Sequence, residues 1–210
     1  MKLQIALDDI DLESALEVVK QIEDVVDIIE IGTPFMMLYG MKAVETFKTN
    51  FPQKLVLCDA KIMDAGKLES KLTFDYGADI VTVLGVTDDL TIIDVVKEAH
   101  ANNKQVMVDM ICVENLKERI ETIEELGVDI IAVHTGVDQQ ASGRTPLDDL
   151  KEMKKYAKKS QVAVAGGLNQ NNIKDYLEYN PDIVIVGGGI LGSENPVLAA
   201  KTINKILKGE

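Results

Sequence analysis

Short apolar runs and longer segments with helical periodicity alternate along the whole chain. The runs Leu3–Leu7, Val26–Ile31, Leu55–Cys58, Ile80–Leu84, Gln105–Met110, Ile130–Val133, Val162–Ala165 and Ile183–Val186 predict eight strands. Between them, Leu12–Ile22, Met36–Lys48, Ile92–His100 and Leu116–Leu126 repeat apolar residues at helical spacing beneath charged outer faces, and a last helix is predicted from Pro196 to about Leu207. Thr33-Pro34, Thr145-Pro146 and Asn195-Pro196 each read as an N-cap followed by proline at the first helical position. Tyr76-Gly77-Ala78-Asp79 and Leu126-Gly127-Val128-Asp129 resemble each other: glycine closes a helix in the left-handed region and aspartate opens the next strand. Asn180-Pro181-Asp182 is a third such entry without the glycine.

Eight strand–helix units suit a doubly wound sheet or a closed barrel. The first strand ends in Leu7-Asp8-Asp9, without the glycines of a dinucleotide fold. Glycine-rich stretches follow the seventh and eighth strands instead, where a barrel often holds phosphate. The expected architecture is α/β, one (β/α)8 TIM barrel domain spanning residues 1–210.

Composition narrows the partners. Apolar residues are 46% of the chain and aromatics 4%, so the core must rest on Val, Ile, Leu, Ala and Met, a mixture suited to strands covered on both faces. The net charge of -13 repels phosphodiester backbones and anionic membrane surfaces, so neither nucleic acid nor membrane is an expected partner. A small phosphorylated substrate remains open, because backbone N–H groups bind phosphate without net positive charge. The first residues read as a strand rather than a leader. Cys58 and Cys112, far apart and each in or beside an apolar run, read as buried free thiols of a cytosolic protein.

Barrel chemistry gathers at the C-terminal ends of the strands. There the chain places Asp8, Glu30, Asp59 with Lys61, Asp109, His134, Gly166-Gly167 and Gly187-Gly188-Gly189. Alternation puts Gln4, Ala6 and Asp8 on one face and Leu3, Ile5 and Leu7 on the other, and the smaller, more polar set suits the interior. Asp59 and Lys61 share a side by the same rule. Each residue has a plainer reading: Asp8 as a cap, Glu30 and Lys61 as an ion pair, His134 as a satisfied strand-end histidine, the glycines as turns. Their coincidence at one end of the barrel favours a shared site. His100 lacks that context and reads as structural or exposed. Asp64 falls past its strand end and should point away from its own barrel axis, toward a second protomer in a two-fold dimer. The glycine loops let backbone approach an anion closely, and neither carries a P-loop lysine.

These residues resemble the orotidine-phosphate decarboxylase superfamily, marked by Asp-x-Lys-x-x-Asp after the third strand, here Asp59, Lys61 and Asp64. Within it the chain is similar over its length to the 3-hexulose-6-phosphate synthase family. The matches are Ile29-Glu30-Ile31-Gly32-Thr33-Pro34, Lys61-Ile62-Met63-Asp64-Ala65, Val108-Asp109-Met110-Ile111, Val133-His134-Thr135-Gly136, Ala165-Gly166-Gly167 and Val184–Ile190. The related 3-keto-L-gulonate-6-phosphate decarboxylases resemble the chain at Asp8, Glu30, Asp59, Lys61, Asp64 and His134. They typically carry Glu, Arg, Thr and Arg where this chain has Asp109, Val137, Ala165 and Gly189, which favours the synthases.

The resemblance implies reversible condensation of formaldehyde with D-ribulose 5-phosphate to D-arabino-3-hexulose 6-phosphate, an aldehyde-lyase reaction of the ribulose monophosphate pathway, with Mg2+ or Mn2+ and a homodimer. On that reading Glu30 and Asp59 hold the metal, His134 is the base and Lys61 stabilises an enediolate. Asp8, Asp109 and the partner's Asp64 hold hydroxyls and orient Lys61, and N–H groups around Gly166, Gly167, Gly188 and Gly189 hold the phosphate. The alternatives are 3-keto-L-gulonate-6-phosphate decarboxylation, a pentulose-phosphate epimerase disfavoured by a chain with 2 His, and a phosphosugar-binding barrel without catalysis.

Overall fold

Each of the apolar runs forms a strand in the computed structural model, which describes all 210 residues. The strands are β1 (Lys2–Leu7), β2 (Ile28–Ile31), β3 (Leu55–Ile62), β4 (Ile80–Leu84), β5 (Gln105–Asp109), β6 (Ile130–His134), β7 (Gln161–Ala165) and β8 (Ile183–Val186). Each pairs in parallel with the next, and β8 returns to β1 in the register Leu3↔Val184 and Ile5↔Val186, closing the (β/α)8 barrel. Around it run α1 (Leu12–Ile22), α2 (Thr33–Tyr39), α3 (Met41–Asn50), α4 (Gly66–Asp75), α5 (Asp89–Ala101), α6 (Leu116–Glu125), α7 (Val137–Ala141), α8 (Leu147–Tyr156), α9 (Ile173–Leu177), α10 (Gly188–Leu191) and α11 (Pro196–Lys208).

The two faces of each strand serve two cores. Leu3, Ile5 and Leu7 of β1 point outward and pack with helix residues such as Ala15, Val19 and Ile22 of α1, the i, i+4, i+7 stripe expected of an amphipathic helix. Ala6, Ile28, Leu57, Ile80, Met107, Ile130 and Ile183 point inward and fill the barrel. The alternation read from Gln4, Ala6 and Asp8 therefore holds.

At the base of the barrel one aspartate recurs. Asp27, Asp79, Asp129 and Asp182 each precede an even-numbered strand, and each carboxylate accepts from a backbone N–H near the start of the odd-numbered strand before it. The donors are Leu3 (2.8 Å), Val56 (3.0 Å), Val106 (2.8 Å) and Val162 (2.8 Å). Asp79 also receives Lys48 (2.7 Å) and Lys104 (2.8 Å). Its burial opposes ionisation, but these bonds outweigh it and hold the carboxyl below its usual range. Gly77 and Gly127, both at positive φ, make the turns into two of these entries, as their sequence context predicts. His100 is half exposed and lies 3.2 Å from Asp129, a structural role at this base.

Several local expectations need correction. The helix expected over Met36–Lys48 is two helices, because Gly40 adopts φ +62° and breaks the run between α2 and α3. Asn195 caps α11 by accepting from Leu198 N, but Thr33 and Thr145 are not caps: α2 and α8 have Gly32 and Pro146 in that position. Thr33 instead donates its hydroxyl to the backbone oxygen of Asp59. Cys58 is buried, its thiol pushed up to about 12 by burial and then by Asp59 and Glu30. Cys112 is exposed, because the turn after β5 carries it outward at φ +61°. No helix is long and apolar enough to cross a membrane.

Candidate active site

The C-terminal ends of the strands enclose a cavity of about 1000 Å³. It is lined by Asp8 after β1, Glu30 on β2, Asp59 and Lys61 on β3, Asp109 on β5, His134 on β6, and Gly166, Gly167, Gly188 and Gly189 from the loops after β7 and β8. All the residues expected to form the site line it except Asp64.

Its centre is a chain of charges. The Lys61 ammonium donates to Asp59 Oδ2 and lies 3.5 Å from Asp109 Oδ2, which in turn lies 2.8 Å from His134 Nδ1. Burial alone would favour neutral lysine. Asp59 and Asp109 outweigh it and raise the Lys61 pKa, so the ammonium stays charged. Asp109 is deeply buried, yet His134 and Lys61 hold its carboxyl below the usual range. An ionised Asp109 only accepts, so His134 Nδ1 carries the hydrogen, and in the neutral imidazole Nε2 is then the acceptor.

The backbone that presents Lys61 is not regular. Cys58 pairs with Val81 but Ile62 pairs with Val83, so β3 carries a bulge opposite Thr82, and Lys61 sits at φ +47°. Asp59 and Lys61 do face the same side, through this bulge rather than through plain alternation. Thr82 donates to Asp59 Oδ1 at 2.8 Å and accepts from Lys61 N at 2.9 Å.

Glu30 does not pair with Lys61. Its only hydrogen-bond donor is Gln4 Nε2, at 2.6 Å. Burial first, then the nearby charges of Asp59 and Asp8, push its carboxyl well above the usual range, against the Gln4 bond. Asp8 is raised for the same reasons, burial and then Asp59. Around the cavity stand Asp8, Asp9, Glu30, Asp59, Asp109 and Asp138, against Lys61 as the one lysine or arginine. No three His, Cys, Asp or Glu side chains converge into a ready-made metal cage. Two crowded carboxylates plus substrate oxygens are nevertheless a donor set that suits magnesium, which is commonly held by one or two carboxylates.

The glycines are there for space. Gly166 has φ +121°, and a Cβ on it would lie 2.6 Å from the Thr135 carbonyl oxygen. A Cβ on Gly189 would collide with the Leu168 carbonyl oxygen, because the two glycine-bearing loops pack directly on each other.

A profile of the Orotidine 5'-phosphate decarboxylase / HUMPS family matches residues 1–203. The chain belongs to that family. Within the Orotidine 5'-phosphate decarboxylase / HUMPS family it is 47% identical to the 3-hexulose-6-phosphate synthase of Staphylococcus haemolyticus, over all of both chains. The crystal structure of 3-hexulose-6-phosphate synthase from Salmonella typhimurium superposes with a TM-score of 0.97 at 50% identity, covering 100% of this chain and 99% of that one. The 3-keto-L-gulonate-6-phosphate decarboxylase of Vibrio cholerae is more distant, with a TM-score of 0.86 at 26% identity, covering 99% and 97%.

Asp64 is exposed, accepts from the amide of Ala65 beside it at 2.7 Å and does not line the cavity. Met37, Leu38, Met63, Leu68 and Leu90, all exposed, come from α2, the β3–α4 connection, α4 and α5, the part of the barrel that carries Asp64. Sequence reading missed Gln4, Thr33 and Thr82. The signal was available in part: Gln4 and Thr82 are polar residues on the inward face of otherwise apolar strands.

Proposed function

We propose that this chain is an aldehyde-lyase that condenses formaldehyde with D-ribulose 5-phosphate to give D-arabino-3-hexulose 6-phosphate, reversibly. The observation that carries the mechanism is the charge chain His134–Asp109–Lys61–Asp59 beside the buried Glu30. Backbone N–H groups around Gly166, Gly167, Gly188 and Gly189 hold the phosphate and orient the sugar with C1 toward His134. His134 Nε2 takes a proton from C1, and Asp109 stabilises the imidazolium that results. Lys61 stabilises the negative charge that moves onto the sugar oxygens. C1 of the enediolate forms a bond to the formaldehyde carbon, and the formaldehyde oxygen takes the proton back from the His134 imidazolium as it becomes a hydroxyl, which restores the neutral base. Asp8 and Asp109 fix sugar hydroxyls. Glu30 and Asp59 would hold Mg2+ or Mn2+, which supplies Lewis-acid polarisation of the sugar's C2 oxygen.

Two positions of the lining support this reading over decarboxylation of a sugar acid. Val137 stands at the rim and Gly189 has no room for a side chain, so neither offers the cation that a substrate carboxylate would need. The test is formaldehyde consumption with ribulose 5-phosphate and Mg2+, with and without EDTA. Metal-dependent loss with a hexulose phosphate product supports the assignment. No loss, with CO2 released from 3-keto-L-gulonate 6-phosphate instead, overturns it.

The assembly in this reading is a two-fold dimer in which the exposed apolar side chains around Asp64 are covered and Asp64 enters the partner's site. Mixing Lys61→Ala with Asp64→Ala tests it. Each variant alone is inactive, but a mixed dimer has one site with both residues intact, so unfolding and refolding the mixture together restores up to roughly a quarter of wild-type activity. No recovery places Asp64 in its own protomer's site, and an Asp64→Ala variant that is active alone places it outside catalysis.

A further inference from the structure

The β3 bulge sets two requirements that one side chain meets. Lys61, a non-glycine residue, is held in the left-handed region at φ +47°, a conformation that needs support from its surroundings. Its amide also faces β4 at the point where the strand register shifts, so the regular ladder is interrupted there. Thr82 stands opposite on β4, 3% exposed, on the inward face between Ile80 and Leu84. Its oxygen accepts from Lys61 N at 2.9 Å, and its hydrogen goes to Asp59 Oδ1 at 2.8 Å. A single hydroxyl thus ties the backbone of one end of the Asp59–Lys61 pair to the side chain of the other. The opposite oxygen of the carboxylate receives Lys61 and the Thr33 hydroxyl, the latter at 3.0 Å.

We infer that Thr82 is a positioning residue for the reaction: its hydroxyl locks the β3 bulge so that the Lys61 ammonium and the Asp59 carboxylate are held in one fixed arrangement. The kinetic part rests on the function proposed above; the hydrogen-bond part does not. Thr82 is too deep to be read as a surface contact, and an apolar residue would fill its place equally well in volume. Valine has that volume but leaves the Lys61 amide without its acceptor and Asp59 without one donor.

The experiment compares wild type with Thr82→Val and Thr82→Ser. By analogy with residues that orient metal ligands from behind, the valine variant should lose roughly 10- to 100-fold in kcat. Its KM for ribulose 5-phosphate, governed by the glycine loops, should stay near wild type. Serine keeps the hydroxyl and should restore most of kcat. Hydrogen exchange read over 57–65 supplies a measure independent of turnover: the Lys61 amide exchanges faster in Thr82→Val, and near the wild-type rate in Thr82→Ser. Should valine misfold, Thr82→Ala takes its place: a serine variant as slow as Thr82→Ala means that packing of the methyl, not the hydroxyl, matters, and the inference falls. It falls equally if Thr82→Val keeps wild-type kcat, or loosens the Lys61 amide without slowing turnover. A wild-type enzyme inactive with formaldehyde while exchange responds as stated would instead count against the proposed reaction and leave the bulge lock intact.

Discussion

Replacing Lys61 with alanine lowers kcat/KM for formaldehyde condensation by roughly 10³-fold, about 4 kcal/mol of transition-state stabilisation. The size follows from what no other residue can supply. Lys61 is the one lysine or arginine in the cavity, and it stands between Asp59 and Asp109. Alanine removes positive charge where negative charge develops and leaves buried carboxylates facing one another. Arginine should not restore the rate, because a planar guanidinium cannot take the place of a compact ammonium between two carboxylates. The raised Lys61 pKa also bears on pH. Its stabilising pairs are fully present below the unfolded pKa and are lost only as pH rises through the higher folded value, so an ionisation seen near neutrality in the rate profile belongs to another group. Steady-state formaldehyde loss, with circular dichroism to establish folding, measures the effect; near-normal turnover would remove Lys61 from the mechanism.

His134→Asn is expected to cost between about 10² and 10⁴ in turnover, the range for a positioned base. Asparagine is the informative replacement because its amide nitrogen can still donate to Asp109, where His134 Nδ1 lies at 2.8 Å. The charge chain persists while the proton acceptor at Nε2 is gone. The decisive readout needs no formaldehyde: wild type exchanges the C1 hydrogen of ribulose 5-phosphate with deuterium from solvent, and the variant does not. Exchange at the wild-type rate in His134→Asn would show that another group takes the C1 proton.

Much of this is legible in the sequence, and the limits have physical causes. Strand runs of Val and Ile, the inward face of β1, and the convergence of Asp8, Glu30, Asp59, Lys61, Asp109 and His134 follow from periodicity, which is a local property. Partners across the barrel are not local. Thr33 looks like an N-cap because Pro34 follows it, yet its hydroxyl goes to Asp59, 26 residues away. Glu30 and Lys61 look like an ion pair by charge, but Gln4 claims Glu30 and two aspartates claim Lys61. Alternation put Asp59 and Lys61 on one side correctly but could not reveal the bulge, which is a mismatch between two strands. The break at Gly40 was visible as a glycine, and helical periodicity on both sides of it concealed that the run divides there.

The aspartates at the base of the barrel bear on how such a protein can be rearranged by recombination. Asp27, Asp79, Asp129 and Asp182 each bind the strand of their own pair, so β1–β2, β3–β4, β5–β6 and β7–β8 are units that carry their own fastening. The links between units at this end include backbone pairs that ask nothing of side-chain identity, such as Gln105 N to the Asp79 carbonyl and Gln161 N to the Asp129 carbonyl, and single lysines such as Lys104 to Asp79 and Lys54 to the Val26 carbonyl. A crossover between relatives that falls between β2 and β3, for example at the exposed Gly40, transfers a pair with its aspartate and its donor strand together. One that falls between β1 and β2 exchanges one half of a fastening without the other. The favoured unit of inheritance in this barrel is the pair of strands, not the single strand–helix step.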